Sequence, residues 1–169
     1  RNIVPVMLNL FAHREVKNII EKNIKLFNER FESFTPVPSQ LGGGYQLLLF
    51  EKGLVDPIPA ARLSDGTLLF LSLLTILCHP TPPPLICIEE PEIGLHPDIL
   101  PTIAELLIDA SKRTQIIVTT HSDILVSALS EQPDSILVCD HDERGTHMNR
   151  LDQKKLKKWL ENYKLGELW

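Results

Sequence analysis

A chain of 169 residues with 43% hydrophobic and 23% charged residues has the size and composition of one soluble globular domain. Its net charge of −5 gives no overall attraction to nucleic acid or to an anionic membrane, and leaves only a local basic patch for either role. No apolar run is long enough to cross a bilayer, and the start "RNIVPVMLNLF" lacks the charged region, long apolar core and cleavage site of a secretory leader.

In chain order, residues 14–33 carry Val16, Ile19, Ile20, Ile24, Phe27 and Phe31 at three- and four-residue steps, which predicts one amphipathic helix. "TPVPSQLGGG" (35–44) reads as a breaker-rich connection, "YQLLLFEKG" (45–53) as a strand closed by glycine, and "DPIPAAR" (56–62) as a loop. Ser64 then sits where an N-cap belongs, with Asp65 in the first turn, before the apolar helix "DGTLLFLSLLTILC". "LICI" (85–88) is a short, wholly apolar run, the pattern of a strand buried in a parallel sheet, and "QIIVTT" (115–120) reads as a second buried strand. Between them, residues 98–111 predict a helix with Ile99, Ile103, Leu106, Leu107 and Ala110 on one face and Pro97 and Pro101 near its first turn. A short helix (122–130), strands at 135–140 and 146–152, and a closing helix in "QKKLKKWLENY" complete the chain. Alternating strands and helices predict βαβ units: an α/β fold with a mostly parallel sheet flanked by helices. Cys78, Cys87 and Cys139 are odd in number and widely spaced, and read as reduced packing residues in a cytoplasmic protein.

Sites in open parallel sheets form beyond the carboxyl ends of the strands. The first apolar strand runs into Glu89-Glu90, the second into Thr119-Thr120-His121-Ser122. If the two strands are neighbours, both glutamates and His121 converge. Adjacent residues on a strand point to opposite sides, so the two carboxylates are free to serve different partners. One suits a cation such as Mg²⁺, which prefers oxygen ligands and keeps several waters. The other suits an attacking water, with the imidazole left for a phosphate. That division fits phosphoryl transfer to water, which needs positioning and charge neutralisation more than covalent chemistry. Solvated loop residues are the alternative for each group alone. A metal-dependent hydrolase is the other catalytic alternative, but no H-E-x-x-H or cysteine pair supports it.

"LSDGT" (63–67), "LICIEEPEIGLHP" (85–97) and "IIVTTHS" (116–122) together resemble, in order and spacing, the heads of ABC-type ATPases. The likeness is greatest to the SMC/RecF/OLD-like branch of predicted ATPases, AAA_21-like proteins of the AAA family. It covers residues 45–169 as the C-terminal part of such a domain, and is weak over 1–44, read as a helical segment and linker. The resemblance implies ATP and Mg²⁺ as cofactors. It implies Glu89 at the Walker B acid position, holding the metal through water, and Glu90 as general base. His121 corresponds to the switch histidine that senses the γ-phosphate. Leu63, Ser64, Asp65, Gly66 and Thr67 correspond to the signature motif, commonly LSGGQ, which contacts ATP bound on the partner head. The principle that a helix N-terminus accepts anions agrees with this. Asp65 departs from the common glycine and is expected to point aside. Gly94, Leu95 and His96 correspond to the D-loop at the dimer interface, with His96 in place of the usual Asp.

No G-x-x-x-x-G-K-[ST] occurs, and the one glycine cluster, "QLGGGYQ", lacks the Lys-Ser/Thr and leads into a strand. With Arg as first residue, the expectation is the C-terminal lobe of a P-loop NTPase head whose P-loop half is removed or is a separate chain. Alone, this chain is expected to bind ATP weakly or not at all. The expected partners are that half, a second head in an ATP-sandwiched homodimer, and DNA or a nuclease or defence effector, with no membrane. A non-hydrolysing, ATP-gated dimerisation or scaffold module is the alternative function. Lys154, Lys155, Lys157 and Lys158 read as a solvated basic face.

Overall fold

The computed structural model describes residues 3–39, 43–152, 154, 156 and 163–168. Most of the closing helix read over 153–163, with three of its four lysines, and residues 40–42 of the glycine cluster lie outside the described residues.

Helices α1 (Ile3–Phe11) and α2 (Arg14–Phe27) lead into strands β1 (Phe31–Pro38), β2 (Tyr45–Glu51) and β3 (Ile58–Pro59), which form an antiparallel sheet in the order β1-β2-β3. This corrects two expectations. The helix expected over 14–33 stops at Phe27, because Asn28 leaves the helical conformation. Its side-chain oxygen accepts from the Arg30 amide at 3.0 Å, and its amide donates to the Glu51 carboxylate at 2.6 Å. Phe31 then enters a strand, and "TPVP" is part of it rather than a linker. Pro36 and Pro38 are tolerated because β1 is an edge strand. A short turn of 3-10 helix over Ala60–Arg62, in the segment read as a loop, leads towards the next helix.

Helix α3 (Asp65–Leu77) is apolar on nearly every side and runs through the core, burying Phe70, Leu71, Leu73, Leu74 and Leu77. Its one buried polar side chain, Thr75, donates to the Leu71 carbonyl at 2.7 Å, which satisfies it inside the helix. Strand β4 (Leu85–Glu89), a 3-10 turn (Pro97–Ile99), helix α4 (Leu100–Ser111) and strand β5 (Gln115–Thr119) form the βαβ unit, with β4 and β5 paired in parallel. The buried face of α4 holds Leu100, Ile103, Ala104 and Ala110, with Leu106 and Leu107 packed against the core. Arg113 ties the ends of α4 and α3 together, donating to the Asp109 carboxylate and to the Leu77 carbonyl, each at 2.7 Å.

After helix α5 (Asp123–Ser127), strands β6 (Leu137–Asp142) and β7 (Gly145–Arg150) form an antiparallel hairpin of their own. Among the described residues β6 does not extend the parallel pair, so the parallel sheet is narrower than the strand-helix alternation implies. The turn explains the local pairing. Asp142 Oδ1 accepts from the Arg144 amide at 2.7 Å and Gly145 takes φ 120°, which folds β7 straight back on β6. A second, small core of Val126, Ile136 and Leu165 joins α5, the hairpin and the 3-10 turn Leu165–Leu168.

Candidate functional site

The parallel pairing sets Glu89 opposite Thr119, and the Glu90 amide donates to the Thr119 carbonyl at 2.8 Å. Both acidic residues and the Thr120–Ser122 turn therefore lie at one edge, beyond the carboxyl ends of β4 and β5. His121 Nε2 stands 3.7 Å from Glu90 Oε1, so two of the three side chains expected to converge meet. The imidazole is 91% exposed and the Glu90 side chain 33%. Water screens such a pair, and its contribution to stability is at most about 1 kcal/mol. Glu89 is also exposed.

Glu90 has φ 43°, the only positive φ at a non-glycine among the described residues. Left-handed backbone at a residue with a Cβ costs about 1–2 kcal/mol. Such strain persists where surrounding structure imposes it, and it concentrates at functional positions. Here it turns the chain sharply out of β4. The turn continues through bonds from the Ile93 amide to the Glu90 carbonyl and from the Leu95 amide to the Glu92 carbonyl, each at 3.1 Å.

Glu92 is a site residue that the sequence reading missed. Its Oε1 accepts from the Thr120 hydroxyl at 2.6 Å and from the His121 amide at 3.0 Å, while Oε2 is buried without a partner. The available signal was a third acceptor-only carboxylate in "EEPE" facing the donor-rich "TTHS".

The second group of expected residues lies around the start of α3. Ser64 is the N-cap: its Oγ accepts from the Thr67 amide at 3.2 Å and lies 2.8 Å from the Thr67 hydroxyl. Ser64 and Asp65 are exposed, whereas Leu63 packs against the core as an anchor. A Cβ added to Gly66 would stand 2.8 Å from the Gly94 carbonyl oxygen, so only glycine permits this approach between the start of α3 and the loop after β4. Gly94 itself has φ 79°. Leu95 packs against the core, and His96 caps the following 3-10 turn, its Nδ1 accepting from the Asp98 amide at 3.3 Å. The loop from Glu90 to His96 thus carries a carboxylate at one end and meets the α3 start at the other.

Among the described residues no group of three or more His, Cys, Asp or Glu side chains could hold a metal by itself. That fits Mg²⁺, which needs one or two carboxylates when phosphate and water supply its other oxygens. Glu89, exposed at the strand edge, offers one such carboxylate. The fit to ATP is partial: a helix start is present and a phosphate-binding glycine loop is not.

Two of the three cysteines differ from expectation. Cys78 is buried, and burial pushes its thiol pKa up to about 11. Cys87 and Cys139 are exposed. Cys87 lies on the outer face of the β4–β5 pair with Leu85 and Ile117, which are 45% and 50% exposed. Among the described residues no helix is long and apolar enough to cross a membrane.

Solved structures share this fold. An SMC ATPase chain, from work on ATP-driven dimerization and DNA-stimulated activation of SMC ATPases, matches 92% of this chain and 95% of its own length, with 17% identity and a TM-score of 0.59. The Smc head domain with an extended coiled coil bound to the C-terminal domain of ScpA, from Pyrococcus furiosus, matches over 86% of this chain with 18% identity and a TM-score of 0.65. The SMC head domain from Thermotoga maritima matches over 88%, with 17% identity and a TM-score of 0.54. This chain spans 37% and 51% of those last two chains. No curated protein matches in sequence. The α/β architecture is therefore that of SMC ATPase heads, P-loop NTPases. The profile of the AAA_21 family, described as "AAA domain, putative AbiEii toxin, Type IV TA system", matches residues 3–127, and the chain belongs to this family of ATPase-type, nucleotide-binding proteins.

Proposed function

We propose that this chain is the C-terminal half of an ABC/SMC-like ATPase head, which hydrolyses ATP once a P-loop half and a second head complete the site. The observation that carries the reading is the meeting of Glu90 and His121 at 3.7 Å, on a backbone turned by a left-handed glutamate at the edge of a parallel pair. Glu90 is the general base that takes a proton from the attacking water. His121, exposed on the opposite strand end, contacts the terminal phosphate. Glu89 holds Mg²⁺ through water; the ion, when bound, offsets phosphate charge. Ser64 and the amides at the start of α3 meet the phosphates of ATP bound on the other head, and Gly94, Leu95 and His96 lie along the interface between heads.

The bare outer face of β4–β5 supports a missing half. Parallel sheets are covered on both faces, yet Leu85, Cys87 and Ile117 face solvent here. The near end-to-end match to an SMC ATPase chain supports a unit of this extent. Coupling of the cycle to DNA, or to a nuclease or defence effector, rests on analogy with the ATPases it resembles.

The test is Glu90→Gln in the complete head. Loss of a general base lowers turnover by about 10²–10⁴-fold, and the variant should accumulate as an ATP-bound dimer by size-exclusion chromatography. A wild-type head that dimerises with ATP but never turns it over would instead establish the scaffold function.

A further inference from the structure

The Glu90–His121 geometry needs a cause, because the two residues belong to different strands and one side chain is almost fully exposed. The Glu90 side of it is fixed by the bond from its amide to Thr119. The His121 side is fixed by Glu92. One oxygen of that carboxylate accepts both the Thr120 hydroxyl and the His121 amide, and the Thr120 hydroxyl oxygen in turn accepts from the Ser122 amide at 2.9 Å. Ser122 then caps α5, accepting from the Leu125 amide at 3.3 Å. Three consecutive residues of the turn are thereby tied to the loop after β4. The bonds to Glu92 are the ones that reach across from another segment, 28 and 29 residues away in sequence.

We propose that Glu92 is a positioning residue: through Oε1 it fixes the backbone of the Thr120–Ser122 turn, and so sets where the His121 imidazole stands relative to Glu90. This rests on the ATPase reading for its catalytic consequence, but not for the clamp itself. Both bonds go to a single oxygen that only accepts, so an amide oxygen serves equally well. Oε2 contributes no bond and is buried. Glutamine at this position keeps the oxygen that accepts both bonds. Alanine removes the clamp.

The experiment compares wild type with Glu92→Ala, Glu92→Gln and Thr120→Val. In the complete head, Glu92→Ala lowers kcat by about 10–100-fold, the size expected for misplacing a reacting group by about 1 Å, while the KM for ATP changes little. Glu92→Gln restores kcat to within about threefold of wild type, because the acceptor is kept. Thr120→Val deletes one of the two donors and gives a smaller loss, which disappears in the Glu92→Ala background. In the 169-residue chain without nucleotide, hydrogen exchange at the His121 amide accelerates in Glu92→Ala and stays at the wild-type rate in Glu92→Gln.

If Glu92→Gln is as slow as Glu92→Ala, the carboxylate acts by charge or proton transfer and the positioning role is overturned. Unchanged exchange at His121 in Glu92→Ala overturns the clamp, whatever the activity. A complete wild-type head without turnover defeats the ATPase reading instead, and the exchange comparison alone then decides the clamp. Should Glu92→Ala fail to fold, Thr120→Val decides: faster exchange at the His121 amide supports the clamp, and no change there overturns it.

Discussion

The antiparallel sheet β1–β2–β3 and the parallel pair β4–β5 are both small, yet they stand differently in the molecule. In the first, Phe31, Phe34, Leu47 and Leu49 are buried, Phe34 packs against Phe31 at 4.6 Å between ring centroids, and Glu32 and Thr35 face outward. Leu47 and Leu49 alternate along β2, and the register shift between Phe31 and Ser33 of β1 lets Phe31 and Phe34, three residues apart, both be buried. In the second, Ile86 is buried and Ile88, Ile116 and Val118 also turn inward, but the outward positions are Leu85, Cys87 and Ile117. Among the described residues, apolar side chains therefore stand on both faces of this pair, and Ile88 and Ile116 of the inner face pack against the core. The same pair carries the strained glutamate and the exposed histidine. The structurally closed sheet holds no candidate site residue, and Glu89, Glu90 and His121 lie at the end of the open one.

The largest expected effect breaks the closed sheet. Phe34→Ala should cost about 3–5 kcal/mol in chemical denaturation, whereas Ile117→Ala, on a half-exposed face, should cost less than about 1 kcal/mol in the isolated chain. Equal losses would erase the contrast. The cysteines sharpen it further. Cys87 and Cys139 should react with a thiol reagent in the folded chain, and Cys78 only on unfolding, because burial keeps its thiol protonated, with a pKa of about 11. Adding the covering half should then protect Cys87.

The strained turn gives a smaller and opposite effect. Glu90→Gly should raise stability by about 1 kcal/mol, since glycine takes the left-handed conformation freely, while abolishing turnover in the complete head. A loss of stability would mean that Glu90 is held by side-chain contacts rather than strained by its backbone.

These contrasts were only partly legible in the sequence. Ser64 as a cap, the apolar α3, the β4 and β5 runs and the meeting of Glu90 with His121 all follow from local pattern and the rule for strand ends. β1 was hidden because Pro36 and Pro38 signal a break, and their tolerance at an edge depends on pairing with β2. The end of α2 was hidden because the apolar period runs on to Phe31, while Asn28 stops the helix partly through a bond to Glu51, 23 residues away. Glu92 was hidden for the same reason. Its partners are near in space and far in sequence, and the match of "EEPE" to the donor-rich "TTHS" counts only once β4 and β5 are paired. The bare face of β4–β5 was also not legible, because an apolar run shows what must be covered and not whether it is.

The smallest effect lies away from both sheets. The Arg113 hydrogen bond to Asp109 holds that carboxyl below its ordinary pKa of 3.8. A depressed carboxyl stabilises the fold above the ordinary value, and the stabilisation is lost as pH falls through the folded one. Because Asp109 is largely exposed, Asp109→Asn should cost about 0.5 kcal/mol at neutral pH. The difference from wild type should shrink in acid, as read from thermal denaturation at both pH values.

The central claim is that these residues are half of an ATPase site. Its most direct test is steady-state ATP hydrolysis with Mg²⁺ by the 169-residue chain alone and by the same chain completed with a P-loop segment. The chain alone should show no turnover, and the completed head should show Mg²⁺-dependent turnover that Glu90→Gln abolishes. Robust turnover by the 169 residues alone would contradict the claim.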